Sequence, residues 1–449
     1  MYRAVHIVEI WVWDQLVGAV ALDPAMGYYA FEYAPEFLKT GIELAPLTMP
    51  TASAQRPFIF PELPEFTFKR LPAMLADSLP DDFGNSLVQA WMANQGVAAS
   101  DITALDRLAY AGKRSMGALE FRPARGPTAR RSTAIDLSEL IESARRAMHG
   151  ELEDEAQATA ALKQLISIGT SAGGARAKAA IAWNSHTNEI RTGQFEVEPG
   201  WEHWLLKFDG MTQNAELADS QPYGRIEFAY YLMATQAGIN MSPCRLLEEG
   251  GRAHFMTRRF DREGNAKLHT QTLCGLAQLD FRARGVHDYS QCLEAMRRLN
   301  LGPESFQQMF RRIAFNVMAK NCDNHTKNLS FMLRERGAWE LAPAYDLIYA
   351  YNPAGEWTYQ HLMSVNGKFQ QIRREDLLIV ADRFQIPAAS QLLKEVREVV
   401  GQWPDFARQA NLQGAVSERI SEQLTLLQLE LTPIHTNVFP SNPIAGRAP

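Results

Sequence analysis

"NCDNHTKNLSFMLRERGAWELAPAYDL" (residues 321–347) opens with an aspartate, a histidine, a lysine and three asparagines within eight residues. Apolar segments flank that cluster, "IAFNVMAK" before it and "FML" after it. Polar groups set between buried segments are costly unless something satisfies them, so the cluster must hold something. Asp323 and Asn328 are five residues apart. At that spacing a carboxylate can orient the proton of an attacking hydroxyl, and the chain can then turn and offer a side-chain oxygen to a hard cation. Two strand-like pieces follow, "LSFML" and "WELAP", joined through "RERGA". A hairpin of that length returns Asp346 to the neighbourhood of Asn328. Asp346 and Asn328 are then a hard-oxygen pair suited to Mg²⁺ between nucleotide phosphates.

Working upstream, the parts that such a site needs occur in order. The small-residue loop 170–175, "TSAGGA", precedes a strand and can lie over phosphates through its backbone N–H groups. Lys207 interrupts the apolar strand "WLLKF", and Glu227 enters the next helix twenty residues on, close enough for a Lys–Glu ion pair. The segment "HFMTRRF" (254–260) then reads as a hinge strand for an adenine, with Thr257 and Phe260 on it. The spacing from Asp323 to Asn328 is the D-x-x-x-x-N of a protein-kinase catalytic loop, and Asp346 stands where the Asp of a D-F-G motif acts. Singly, each feature has a plain reading: a flexible loop, a lysine snorkelling from a strand, a solvated helix glutamate, a turn-capping aspartate. Their joint order points to phosphoryl transfer.

The rest of the sequence sets bounds. A length of 449 residues suggests two or three domains. Net charge −6 argues against a broad nucleic-acid footprint on this chain alone. Cys244, Cys274, Cys292 and Cys322 form no C-x-x-C pair and read as reduced, mostly buried thiols. The N-terminal stretch is broken by His6, Glu9, Asp14 and Gln15, so it does not read as a signal peptide, and no run of eighteen apolar residues suggests a membrane span. A cytoplasmic protein is expected. Residues 4–22 alternate as a β-hairpin turning at "WDQL", "GYYAFEYAPEFLKTG" reads as a strand and short helix, and an amphipathic helix closes at Gly96. "RPARGPTARRSTA" (122–134) reads as a linker, and 135–166 carry helical periodicity. The expected fold is α+β, a two-lobed protein-kinase-like fold: residues 1–120 a small N-terminal α+β subdomain, 121–262 the N-lobe, 263–432 a mostly helical C-lobe, and 433–449 a poorly ordered tail.

The motifs "SAGGARAK", "WLLKFDG", "HFMTRRFDR", "DNHTKN" and "AYDL" resemble those of the HipA-type serine/threonine kinases, toxins of bacterial toxin–antitoxin pairs. "LADSLPDDFGN" and "RLAYAGKRSMGALEF" resemble that family's N-terminal domain, and the likeness runs to about residue 400. The resemblance implies ATP and Mg²⁺, transfer to Ser or Thr of a protein substrate (an aminoacyl-tRNA synthetase for some members), and a HipB-like antitoxin through which alone the chain meets DNA. It makes Asp323 the catalytic base, Asn328 and Asp346 metal ligands, and Lys207, paired with Glu227, a phosphate contact. His325, Tyr345 and Phe260 fall at nucleotide-adjacent positions, beside the loop Ser171, Ala172, Gly173, Gly174 and Ala175. Ser171 falls on the serine that members autophosphorylate. Arg176, Ala177 and Arg258 depart from residues common in the family. Two rival readings are a small-molecule kinase and a non-catalytic kinase-like module.

Overall fold

The computed structural model describes residues 2–126, 176–212 and 221–427. The expected phosphate loop 170–175, most of the linker, the helical stretch 135–166 and the tail 433–449 lie outside the described residues. The chain begins with an antiparallel sheet in the order β3-β2-β1-β4, formed by β1 (Ile7–Val12), β2 (Gln15–Asp23), β3 (Tyr28–Tyr33) and β4 (Glu120–Arg122). Alternation puts Val8, Ile10 and Val12 on its buried face. The β1–β2 turn falls at Trp13 and Asp14, both at positive φ, as a two-residue hairpin turn requires. A tryptophan there is sterically disfavoured, but its indole Nε1 donates to the Lys267 carbonyl at 2.8 Å. Two helices follow, α1 (Asp82–Ala93) and α2 (Ala104–Ala111). Asp81 caps α1 by accepting from the Gly84 N–H at 2.7 Å, and Thr103 with Asp106 closes a capping box on α2.

A second antiparallel sheet has the order β6-β5-β7-β9-β8. Its strands are β5 (Arg176–Trp183), β6 (Ile190–Thr192), β7 (Glu202–Thr212), β8 (Cys244–Glu249) and β9 (Arg252–Arg258), with α3 (Tyr223–Gln236) between β7 and β8. The period of two divides this sheet cleanly. Ala179, Ile181, Trp183, Trp204, Leu206, Phe208 and Met256 form one core with Leu87, Val88 and Met92 of α1. Lys178, Leu205, Lys207, Phe255 and Thr257 fall on the opposite face, toward α3. The N-terminal unit thus covers one side of the sheet that carries Lys207.

The remaining chain is mostly helical: α4 (Tyr289–Arg298), α5 (Pro303–Met318), α6 (Arg374–Arg383), α7 (Ala389–Val400), α8 (Trp403–Gln409) and α9 (Ala415–Gln423). A small antiparallel sheet β10-β11-β12 (His269–Thr272, Ser330–Leu333, Trp339–Leu341) supplies the hairpin expected after the polar segment 321–328. The pairings Arg262–Glu263 with Ala266–Lys267 and His287–Asp288 with Met363–Ser364 were not legible, being too short to carry periodicity. The architecture is α+β and two-lobed, kinase-like, with a small N-terminal unit. The main core joins residues of the N-terminal sheet, such as Val8 and Phe31, to Phe315 and Trp403 of the helical lobe. All four cysteines are free and buried. Among the described residues no helix is long and apolar enough to cross a membrane.

Candidate active site

The placement of Lys207 and Glu227 follows from two local rules. Lys207 alternates with Leu206 and Phe208, so once those two enter the α1 core its side chain must emerge on the opposite face. Two residues on, Asp209 lies on that same face and accepts from the Gly224 N–H at 3.1 Å. This holds the start of α3, which has no side-chain N-cap of its own. Gly224 lies against β9 so closely that an added Cβ would overlap the Ala253 carbonyl oxygen and meet its carbon at 3.0 Å. One turn later Glu227 reaches the Lys207 ammonium, and both side chains are buried. Lys207 Nζ also bonds Asp346 Oδ1. The lysine and the two carboxylates picked out from the sequence are therefore one connected group.

The polar cluster is held by its own asparagines. Asn321 Nδ2 donates to Asn316 Oδ1 at 2.9 Å. Asn316 and Asn324 each donate to the buried Tyr289 hydroxyl at 2.9 Å, and Asn324 Oδ1 accepts from Leu362 N–H at 2.8 Å. Thr326 Oγ1 donates to the Leu279 carbonyl at 2.7 Å. Asn328 Nδ2 closes the loop on the Asp323 carbonyl at 2.7 Å, which leaves Oδ1 as the acceptor end of its side chain. The Asp323 carboxylate is about half exposed (48%). His325 Nε2 lies 3.9 Å from Asp323 Oδ1. Burial pushes the His325 imidazole below its ordinary pKa, against the opposing pull of Asp323 and Asp346. Asp346 sits in the left-handed region at φ 52, uncommon for a non-glycine residue and frequent at functional positions.

Beside this group lies a largely apolar cleft that includes Leu205, Phe255, Thr257, Phe260 and Tyr345. The Phe260 and Tyr345 rings stack at 5.7 Å. The Tyr345 hydroxyl donates to the Lys327 carbonyl at 2.6 Å, and burial raises its pKa well above the usual value. Arg258, which departs from the family pattern, pairs at the surface with Glu202 at 3.1 Å. Every expected site residue from Lys207 onward borders this cleft or the adjoining groove that contains Asp323 and His325. Ser171, Ala172, Gly173, Gly174 and Ala175 lie outside the described residues.

Two contributions went unread. Lys178 stands opposite Lys207 in the β5–β7 register, is buried, and lines both cavities. Its signal was present: Ala179, Ile181 and Trp183 claim one face of β5, so position 178 must lie on the other. The second is the N-terminal unit itself, whose Asp77, Tyr110 and Arg114 wall the cleft. Asp77 is fixed there by accepting from the Thr272 N–H and Oγ1, each at 2.7 Å. No group of three His, Cys, Asp or Glu among the described residues is placed to hold a metal by protein ligands alone. Asp346 and Asn328 supply two hard oxygens, which fits Mg²⁺ taking its other ligands from phosphate and water.

Residues 170–404 match the HipA-like C-terminal domain, and residues 8–122 match the HipA N-terminal domain. The chain is 23% identical over 154 residues to the putative kinase Y4mE of Sinorhizobium fredii. That match covers 32% of this chain and 34% of the relative, so it spans about a third of the relative's length. Among solved structures, the chain is similar to one from the Shewanella oneidensis MR-1 toxin–antitoxin complex of HipA, HipB and operator DNA. The similarity has a TM-score of 0.65 at 17% identity, covering 92% of this chain and 94% of that one, and it shows the fold.

Proposed function

The chain belongs to the HipA-like family, and from that premise we propose that it is an ATP-dependent serine/threonine protein kinase, the toxin of a toxin–antitoxin pair. The observation that carries the reading is Lys207 bonded to both Glu227 and Asp346, beside a loop presenting Asp323 and Asn328. In this reading the apolar cleft between Phe255, Thr257, Phe260 and Tyr345 takes the adenine, and Lys207 with Lys178 faces the phosphates. Bound Mg²⁺, held by Asp346 and Asn328, would neutralise phosphate charge. Asp323 orients the acceptor hydroxyl and takes its proton as the new O–P bond forms and the bond from the γ-phosphorus to the bridging oxygen breaks. Glu227 positions Lys207 rather than touching the reacting atoms.

A HipB-like partner is supported by the neighbour, whose structure is a complex of HipA, HipB and operator DNA. With net charge −6, this chain meets DNA through a HipB-like antitoxin. Ser171 is the proposed autophosphorylation site. A phosphate adds roughly −1.5 to −2 charge, which beside nucleotide phosphates repels and shuts the site. The deciding experiment compares γ-phosphate transfer with nucleotide affinity. Asp323→Asn should abolish transfer and change ATP affinity by less than about threefold, because the carboxylate acts on the acceptor. Asp346→Ala should lower both. Nucleotide affinity falling in step with activity in Asp323→Asn overturns this division of roles.

A further inference from the structure

From Asp323 a continuous series of rings and cations runs outward along the groove. His325 lies 3.9 Å from Asp323, and the Phe281 ring lies 5.4 Å from the His325 ring. The Arg282 guanidinium bridges two rings, 4.9 Å from Phe281 and 4.5 Å from Phe66. Lys69 sits 4.7 Å over Phe66, and Lys327 4.8 Å over Phe281. Phe66 and Lys69 come from the N-terminal unit, the others from the helical lobe. Thr67 Oγ1 donates to Asp280 Oδ1 at 2.5 Å, which locks the two halves together. Arg282, touching both rings, can be read as a staple between the two units. Lys69 and Lys327 each lie on a ring of their own unit, and both bring positive charge to the groove wall.

The sign of that charge is the second observation. Among the described residues, beyond the phosphate-side lysines and the two site carboxylates, the groove carries Lys69, Arg107, Arg282, Lys327 and Arg419 against one acidic side chain, Asp81. Asp81 is engaged in capping α1. The chain as a whole is acidic at −6, so the groove's field opposes that of the bulk and selects its occupant. Cation–π contact keeps each long side chain extended over a ring. This lowers the entropy lost when the cation meets a carboxylate.

We propose that this groove docks an acidic segment of the acceptor protein, with carboxylates flanking the phosphorylated Ser or Thr. The proposal rests on the protein-kinase reading and deepens it. Acidic protein is favoured over nucleic acid because cations already cover faces of Phe66 and Phe281, where a base would stack. An extended chain advances at most ~3.3–3.6 Å per residue, so the docking carboxylates lie within roughly six residues of the acceptor.

The test uses the whole chain and synthetic Ser peptides carrying three Glu, Gln or Lys residues within that distance, on either side. KM for the Glu peptide should be about tenfold below that for the Gln peptide at low salt, with the gap closing at high salt. In Lys69→Glu the preference should collapse, and the Lys-flanked peptide should recover what the Glu-flanked one loses. That rescue separates lost docking from a misfolded variant. Equal KM values for all flanks, or no rescue, overturn the proposal. So does Lys69-dependent binding of oligouridylate that is tighter than binding of the Glu peptide, which assigns the groove to nucleic acid. Fluorescence anisotropy of labelled peptides reads docking without transfer. Charge-dependent binding with no phosphorylation of any peptide would sink the kinase reading and leave the docking surface standing.

Discussion

Gly224→Ala tests whether the contact between α3 and β9 sets the active site. A methyl at this position overlaps the Ala253 carbonyl oxygen, with Ala253 C at 3.0 Å and Phe255 N at 3.3 Å. Carbon contacts relax at about 3.5–4.0 Å, so the start of α3 must retreat by roughly 1.5 Å or the strand must bend. β9 is hydrogen-bonded on both edges, to β7 and β8, so the helix gives way. Glu227 rides on that helix one turn later, and its bond to Lys207 opens. Overpacking of this kind costs about 1–3 kcal/mol, and misplacing a catalytic group by about 1 Å costs about 10²-fold in rate. Urea unfolding and γ-phosphate transfer measure the two effects separately. Gly302→Ala is the control: its φ is −74, nothing lies within 4 Å of the added methyl, and it caps α5 far from Lys207 in sequence. It should change stability by no more than about 1 kcal/mol and activity by less than about twofold. A Gly224→Ala chain with the stability and turnover of the control would refute the claim that this contact places Glu227.

Two further outcomes concern stability. Asp261 is fully buried between Arg259 (2.7 Å) and Arg262 (2.7 Å) and also accepts from the Gly117 N–H at 2.8 Å. Asp261→Asn should cost about 3–5 kcal/mol, because two buried guanidinium groups lose their counter-charge; a loss below about 1 kcal/mol in urea unfolding would contradict the structure. Acid should destabilise the fold through its histidines. Burial lowers His269 to about 4 and His361 to about 3, so the native state holds both neutral while the unfolded chain protonates near pH 6.5. Their contribution is complete above that pH and drains away as pH falls toward 4, by roughly 3 kcal/mol for His269. The urea midpoint should fall across that window, and less so in His269→Gln; an unchanged pH slope in the variant counts against the assignment.

Much of the candidate site was legible because its parts are local patterns in a fixed order. A lysine inside an apolar strand, a glutamate one turn into the next helix, D-x-x-x-x-N, and a hairpin ending in Asp346 each span a few residues. The structure joins Lys207, Glu227 and Asp346 directly. The polar cluster itself was read less well. Only Asp323, His325 and Asn328 were assigned roles at the site. Asn321 and Asn324 serve the scaffold, tying the loop to Asn316, Tyr289 and Leu362. Sequence spacing cannot separate an asparagine that holds a loop from one that faces a ligand, because both are polar residues between apolar ones. Lys178 was missed for a related reason: its strand was recognised, but its role depends on facing Lys207 across two strands.

The N-terminal unit is where sequence reading stops for a physical reason. An amphipathic helix such as α1 announces that one face is buried, but not against what. Its partner is the sheet of β5, β7 and β9, whose Trp183, Trp204 and Phe208 need cover on the side away from α3. Burying a side chain of that kind contributes about 1.5–3 kcal/mol, so this face is a large share of the sheet's stability. The same face dictates the site. Because Leu206 and Phe208 are taken into the α1 core, Lys207 has only the opposite side to occupy, and there Glu227 and Asp346 receive it. The N-terminal unit also walls the cleft through Tyr110 and Asp77 and furnishes Phe66 and Lys69 to the groove. It therefore sets the orientation of Lys207, closes the cleft, and supplies part of the proposed acceptor surface.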